Sequence, residues 1–141
     1  MKNVLILSMT DSCRSQMARG YLQYYARKRA NIYSAGLKPG KLNPMAVQVM
    51  AEDGIDISNQ TTNALTDYDN INFDFIVTVS DATRENCPYF PSKALRIHQD
   101  FPDLSKLKGT EEEKLEQYRE MRADVRLFAH KFSKVHFKGL R

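Results

Sequence analysis

A short turn rich in hydroxyl side chains is the first segment of the chain that could do chemistry: Ser8-Met9-Thr10-Asp11-Ser12-Cys13-Arg14-Ser15. A turn that leads directly into a helix presents several backbone N–H groups to one point, which suits a tetrahedral anion. The Arg14 guanidinium would add a planar fork for two oxygens, and the four hydroxyls are further candidate donors. The turn lacks a Gly-rich cradle, so an ordinary strand-to-helix connection with capping serines is the alternative.

Cysteine and histidine content argues against disulfide and metal chemistry. Two cysteines, Cys13 and Cys87, are too few for a disulfide framework or a four-ligand zinc site. We interpret Cys13 as a small apolar filler, with a Cys13–Cys87 disulfide as the alternative. No pair of histidines has metal-ligand spacing beside a carboxylate, so we expect no metal and no other cofactor. His98 could contact a substrate, but we favour a role in supporting a loop.

The order of strands and helices must position this turn. Apolar, aromatic and β-branched runs predict strands at residues 4–7, 32–36, 73–79 and 94–97. Three helices follow from apolar residues at helical spacing. Their predicted inner faces are Met17, Tyr21, Leu22 and Tyr25, then Val47, Met50 and Ala51, then Leu115, Tyr118, Met121, Val125, Phe128, Phe132 and Val135. This alternation predicts an open parallel sheet with helices on both faces.

Local signals set the helix ends. Asn43 and Pro44 predict an N-cap followed by proline at the first helical position, and Gly54 predicts the end of that helix. Thr110 and Glu113 predict a capping box at the start of the last helix. The irregular stretches 38–42 and 100–109 are long enough to be functional loops. We expect residues 88–91 to form either a hydrophobic lip beside the turn or a rigid turn.

Length and composition predict one domain, residues 1–141, because 141 residues with 42% hydrophobic content can bury a core. No apolar run has the length of a membrane span or a signal-peptide core, so we expect a cytoplasmic protein without a membrane partner. The net charge is +4. Cations near the end of the last helix complement its dipole, and we expect no nucleic-acid partner. These cations are Arg126, Lys131, Lys134, Lys138 and Arg141.

The segment VLILSMTDSCRSQMARGYL resembles the opening of the low-molecular-weight protein tyrosine phosphatase superfamily, most closely its thioredoxin-coupled arsenate reductases. That family reads Cys-Thr-Gly-Asn-Ser-Cys-Arg-Ser between its first strand and helix. The resemblance continues through IYSAGLKPGKLNPMAVQVMAEDGIDIS, FDFIVTVSDATRENCP and HQDFPDLS, to about residue 105. It implies a four-stranded parallel sheet of flavodoxin-like build, with residues 8–15 as an oxyanion-binding loop.

The resemblance also implies roles for individual residues. Ser8 occupies the position of the nucleophilic cysteine, Arg14 that of the oxyanion-binding arginine, and Asp103 that of the general acid. Ser15 occupies the position that donates to the nucleophile. Arsenate reductases pass oxidation through two further cysteines, whose positions are Ser80 and Cys87 here.

Several positions depart from the family pattern. Hydroxyls cannot exchange disulfides, and no base beside Ser8 is evident in the sequence. Asp11 replaces an asparagine, and its carboxylate would repel a dianion bound in the loop. We hypothesise that Arg14 or Arg19 pairs with Asp11. Leu104 replaces the proline that follows the general acid.

Three functions follow from these departures. The first is a catalytically impaired family member that binds phosphate, arsenate, sulfate or a phosphorylated protein. The second is an engineered cysteine-to-serine form of an active arsenate reductase or tyrosine phosphatase, and the changes at residues 9–11 favour natural divergence over it. The third is an altered, serine-dependent phosphohydrolase. Thioredoxin is an expected partner only if the native protein carries the relay thiols.

Overall fold

The computed structural model describes residues 1–87 and 93–137, and its centre is a four-stranded parallel sheet with strand order β2-β1-β3-β4. The strands are β1 (Lys2–Ser8), β2 (Ala30–Gly36), β3 (Phe75–Thr78) and β4 (Leu95–His98). Every strand end lies within two residues of its prediction: β1 and β2 start two residues earlier, and β3 is shorter at both ends. Register places Leu7 beside Thr78, and Thr78 beside His98. The carboxyl ends of three strands therefore meet at one edge.

The described residues also form four α-helices and one 3-10 helix, of which the last α-helix follows β4. They are α1 (Arg14–Ala26), α2 (Pro44–Glu52), a 3-10 helix η1 (Leu65–Tyr68), α3 (Asp81–Asn86) and α4 (Glu111–His136). The predicted caps are confirmed: Asn43 Oδ1 accepts from Met45 N at 2.8 Å and Ala46 N at 3.2 Å. Thr110 and Glu113 form the capping box. Gly54 has a φ of +79° just beyond α2, where a left-handed residue ends the helix.

The two faces of the sheet are covered unequally. Alternate residues of β1 point to opposite faces, so Val4 and Ile6 pack with α1, α2 and α4, whereas Leu5 and Leu7 pack against the segment that carries η1. The second face also holds an edge-to-face cluster of Tyr33, Tyr68 and Phe73. The expected helices on both faces are present, with the three long ones on the same side.

Some predicted helix faces are wrong in detail. The inner face of α2 is Ala46, Val49 and Met50, and Ala51 is exposed. In a helix that begins at Pro44, Ala46, Val49 and Met50 share the side that packs on the core, and Ala51 lies on the side that faces solvent. Val135 is 60% exposed, because it lies on the outer side of the last turn of α4, whose inner side carries the buried Phe132.

Part of the chain lies outside the residues that the structure describes. The lip or turn expected at residues 88–91 falls in that part, as do Lys138 and Arg141. Among residues 1–87 and 93–137, no helix is long and apolar enough to cross a membrane.

Candidate functional site

The backbone of residues 8–13 turns its carbonyl groups away from a central cavity. Four of them accept hydrogen bonds from neighbouring segments: Ser8 O from Leu37 N at 3.2 Å, Met9 O from Lys38 N at 2.8 Å, Asp11 O from Gln16 Nε2 at 2.9 Å and Ser12 O from Asn43 N at 2.9 Å. Thr10 O accepts from the Ser12 hydroxyl, and Cys13 O from Met17 N. Every carbonyl from residue 8 to residue 13 thus has a protein donor.

The amide groups of the same loop are left for another acceptor. Because C=O and N–H point in opposite directions across a trans peptide, outward carbonyls turn the following amides inward. Within the described residues, the backbone N–H groups of residues 9, 10 and 12–15 donate to no protein acceptor. These amides and the N-terminus of α1 form a concave set of donors suited to a tetrahedral anion.

A cavity of about 930 Å³ opens in front of this loop. Ser8, Met9, Thr10, Ser12, Cys13 and Arg14 line one side of it, and residues 100–105 line the other. Arg14 Nη1 donates to the carbonyl of Phe101 at 3.0 Å, so its guanidinium bridges the two sides. Six of the eight predicted loop residues therefore face the cavity, and Asp11 and Ser15 lie behind the loop.

Ser8 belongs to a buried hydrogen-bonded chain. Its Oγ lies 2.7 Å from Ser15 Oγ, and Ser15 Oγ donates to Asp11 Oδ1 at 2.7 Å. The Asp11 amide donates back to Ser8 Oγ at 3.0 Å. All three side chains are at most 3% exposed. No base near Ser8 is evident in the sequence, and the structure connects the Asp11 carboxylate to Ser8 through Ser15.

Asp11 is directed away from the cavity, which corrects the expectation that its carboxylate faces a bound anion. Its Oδ2 accepts from Asn63 N at 3.0 Å, and its φ of 51° is a left-handed value that asparagine and aspartate tolerate. Burial raises the pKa of Asp11 above its ordinary value, although hydrogen bonds from Ser15 and Asn63 oppose the rise.

The hypothesised ion pair between Asp11 and Arg14 or Arg19 is wrong. No such pair lies within 4.0 Å among the residues that the structure describes. Arg19 Nη1 instead contacts Ser34 Oγ at 3.3 Å, and its charge lowers the pKa of Asp11 only from longer range. Arg14 is occupied by the Phe101 carbonyl.

Cys13 is packed as an apolar residue, in agreement with our interpretation. Its Sγ donates to Met17 Sδ at 3.7 Å, and burial raises the pKa of the thiol to about 12. A thiol with that pKa is almost entirely protonated at neutral pH and is a poor nucleophile. Cys87 packs against the other face of the sheet, so the alternative of a Cys13–Cys87 disulfide is not formed.

Asp103 lies across the cavity in an exposed loop. Its Oδ1 accepts from Ser105 N at 2.9 Å. This hydrogen bond, with smaller contributions from the Ser105 hydroxyl and the Arg14 charge, holds the pKa of Asp103 below its ordinary value. A general acid must carry the proton that it donates, and a lowered pKa favours the carboxylate instead. Asp103 therefore lines the cavity in surroundings that favour its ionised form.

The two relay positions lie at opposite ends of α3. Ser80 is its N-cap: Ser80 Oγ accepts from Thr83 N at 3.1 Å and lies beside the Thr83 hydroxyl. Cys87 follows the last turn as the C-cap, and burial raises the pKa of its thiol. Ser80 lines the cavity, whereas Cys87 does not.

A cluster missed by the sequence analysis lies at the ends of β3 and β4. His98 Nε2 is 2.7 Å from Asp81 Oδ1, His98 Nδ1 is 2.6 Å from Thr78 Oγ1, and Asp100 Oδ1 accepts from Asp81 N at 2.8 Å. The pairs are 17 to 20 residues apart in sequence, so no local pattern reveals them. These contacts attach the start of α3 to the end of β4, which agrees with a supporting role for His98.

The sheet and the loop define an α/β protein in which the first strand leads into a helix through a loop whose amides are free to bind an anion. Residues 3–127 match the family model of the low molecular weight phosphotyrosine protein phosphatases, and the chain belongs to that family. Arsenate reductase of Bacillus subtilis (strain 168) is 39% identical over 124 residues, 88% of this chain and 89% of that protein. Arsenate reductase of Shouchella clausii (strain KSM-K16) is 38% identical over 135 residues, 95% and 96% of the two chains.

Solved structures agree with the fold. An arsenate reductase in its oxidized state superposes with a TM-score of 0.76 at 27% identity, covering 93% of this chain and 95% of the other. An arsenate reductase in the phosphate binding state gives 0.72 at 25% identity, covering 96% and 98%. A low molecular weight protein tyrosine phosphatase from T. tengcongensis gives 0.79 at 22% identity over 96% and 99%, which supports the fold alone.

Proposed function

We propose that the chain binds a tetrahedral oxyanion in residues 8–15 and lacks the thiol chemistry of its active relatives. The ligand is phosphate, arsenate, sulfate or the phosphoryl group of a phosphorylated protein. The observation that carries this proposal is the outward orientation of every carbonyl from Ser8 to Cys13, which leaves the intervening amides for an anion. An arsenate reductase relative is described in a phosphate binding state, which supports the same ligand class.

Arg14 would complete the anion site. Its guanidinium already lines the cavity, and releasing the Phe101 carbonyl would turn two N–H groups toward an oxyanion. Arg14 holds the loop to residues 100–105 when the cavity contains no anion, and it would hold the anion when one is bound.

The impairment would concern the nucleophile and the redox relay. Ser8 and Ser80 replace two thiols, and the pKa of about 12 makes Cys13 a poor substitute. The hydrogen bond from Ser105 lowers the pKa of Asp103, which disfavours the protonated form that a general acid needs. Thioredoxin would have no disulfide to reduce, so we do not propose it as a partner of the chain as it stands.

Calorimetric titration with phosphate and arsenate tests the binding. We expect saturable binding of both ions, weakened about tenfold in Arg14→Lys, which keeps the charge but loses the two-pronged hydrogen bond. Equal affinity of the wild type and Arg14→Lys, or no saturable binding, would refute the proposed site.

Restored thiols test the impairment. Ser8→Cys should hydrolyse para-nitrophenyl phosphate faster than the wild type, and Ser8→Cys with Ser80→Cys should gain thioredoxin-linked arsenate reduction through Cys87. The matched control is Ser80→Cys alone, which should gain neither. Failure of both Ser8 variants, with phosphate binding intact, would show that residues 9–11 have also diverged from catalysis.

A further inference from the structure

The direction of the hydrogen bonds in the Ser8–Ser15–Asp11 chain is fixed by their chemistry. An ionised carboxylate only accepts, so the Ser15 hydroxyl donates to Asp11 Oδ1 at 2.7 Å. The single Ser15 proton is then used, and Ser8 must be the donor across the 2.7 Å between the two hydroxyls. The proton of Ser8 thus points through Ser15 toward a buried carboxylate.

The same geometry leaves Ser8 Oγ able to attack. One lone pair accepts from the Asp11 amide at 3.0 Å, and the other remains available. Ser8 lines the cavity, whereas Ser15 and Asp11 do not. The phosphoryl donor and the proton acceptor would therefore lie on opposite sides of Ser8. Phosphorus would approach Ser8 Oγ from the cavity, and the Ser8 proton would move to Ser15 on the far side of the loop.

We propose that Ser8 is a phosphoryl acceptor whose proton passes through Ser15 to Asp11; this inference rests on the proposed oxyanion site. In the step, Ser8 Oγ forms a bond to phosphorus while the bond from phosphorus to the leaving group breaks. The Ser8 proton moves to Ser15 Oγ, and the Ser15 proton moves to Asp11 Oδ1. The loop amides bind the charge that develops on the phosphoryl oxygens.

The surroundings of Asp103, across the cavity from Ser8, favour one class of phosphoryl donor. The Ser105 hydrogen bond lowers the pKa of Asp103 and so disfavours the protonated form that would donate to a departing oxygen. A leaving group that departs as a stable anion needs no such proton. Acyl phosphates and nitrophenyl phosphates have leaving groups of this kind, whereas phosphate esters of simple alcohols do not.

Aspartate at position 11 is central to this inference, because an amide in the same place cannot accept a proton. Asparagine also tolerates the φ of 51°, and its one amide oxygen can accept from Asn63 N while its NH2 donates to Ser15 Oγ. Asp11→Asn therefore keeps the backbone conformation and the contact with Asn63, and it removes the proton acceptor. Asp11 acts on Ser8 through Ser15, so it is a positioning residue and its test needs a pH profile.

The experiment incubates the protein with acetyl phosphate and, separately, para-nitrophenyl phosphate. Phosphorylation is followed by intact mass and peptide mapping of Ser8, and nitrophenolate release reports any turnover. The wild type should acquire one phosphoryl group on Ser8 or release nitrophenolate. Asp11→Asn and Ser15→Ala should slow that step by about 100-fold, and Ser8→Ala should abolish it.

The pH profile separates proton transfer from a structural role. The wild-type rate should rise with pH as Asp11 loses its proton, and Asp11→Asn should lack that rise with the same donor. The other charged or titratable groups facing Asp11 are Arg19 of α1 and Tyr68 of η1, and Asp11→Asn leaves both in place.

Phosphate titration distinguishes the two proposals. If inorganic phosphate binds and neither Ser8 modification nor Ser8-dependent release occurs, the acceptor role is wrong and the binding function stands. A wild-type rate or an unchanged pH profile in Asp11→Asn overturns the relay through Asp11. If phosphate does not bind, the proposed function fails, and the acceptor role fails with it.

Discussion

Gly40 is a residue outside the loop that packs closely against the proposed anion site. A Cβ at this position would lie 2.6 Å from Ser12 Oγ and 2.8 Å from Thr10 Cβ, and closer still to the Thr10 carbonyl. We expect Gly40→Ala to displace residues 10–12, weaken phosphate binding and lower the free energy of unfolding by about 1–3 kcal/mol. Calorimetric titration and urea denaturation measure the two effects.

Gly54→Ala is the matched control for Gly40→Ala. Gly54 has open space around it but a φ of +79°, so a side chain there is strained without touching the loop. Its unfolding free energy should fall by about 1–2 kcal/mol while phosphate affinity stays the same. Unchanged phosphate affinity in Gly40→Ala would contradict the role assigned to this close packing.

Single positions were predictable where the sequence carries a local pattern. The spacing of Ser8 and Arg14 placed both at the cavity, because a strand, a turn and a helix leave little freedom between them. The orientation of Asp11 was not predictable, because its carboxylate is held by the backbone of Asn63, 52 residues further along the chain. The proton path from Ser8 depends on that same long-range contact.

Between elements, an ion-pair cluster joins α2 to α4. Arg119 donates to both Glu52 oxygens, through Nε to Oε1 and Nη2 to Oε2, each at 2.9 Å, and Arg122 Nη1 also donates to Oε1 at 2.9 Å. The Arg119 hydrogen bond, with Arg122 beside it, lowers the pKa of Glu52 from 4.5 to about 2. Folding therefore favours the ionised carboxylate. This contribution to stability is complete above the unfolded pKa of 4.5 and disappears as pH falls toward 2.

Glu52→Gln tests this pairing. The wild type should be more stable than the variant near neutral pH, and the difference in unfolding free energy should shrink between pH 4.5 and 2. Urea denaturation across this pH range measures it. Glu116→Gln is the control: Glu116 contacts Arg119 at 3.3 Å and its side chain is 63% exposed, so a smaller difference is expected. A pH-independent difference for Glu52→Gln would exclude the ion pairs as its source.

Elements with several turns or clear caps were predictable, and short ones were not. The capping box of Thr110 and Glu113 and the stripe on α4 identified that helix, because each signal repeats or is local. The short helices α3 and η1 have only six and four residues. Neither is long enough to show a helical period. Their formation depends on the strand ends and the loop that they contact.

At the scale of the whole molecule, the site depends on the less protected face of the sheet. Residues 4–7 of β1 are fully buried, whereas no residue from 58 to 74 is buried. Yet this segment supplies Asn63 N to Asp11 and the Thr61 carbonyl to Gln16. Transient opening of residues 58–74 would remove both supports from the oxyanion loop, so anion binding and closure of this segment should be coupled.

Hydrogen exchange with and without phosphate measures the coupling. Without phosphate, amides in residues 58–74 should exchange faster than those of β1, because fewer apolar contacts must be broken to expose them. Phosphate binds the supported loop better than the unsupported one, so it should slow exchange around Asn63 as well as in residues 8–15. Chloride at matched ionic strength is the control and should slow neither. Protection limited to residues 8–15 would mean that the loop keeps its shape without Asn63, and the long-range contact at Asp11 would then be a consequence of the fold rather than a support of the site.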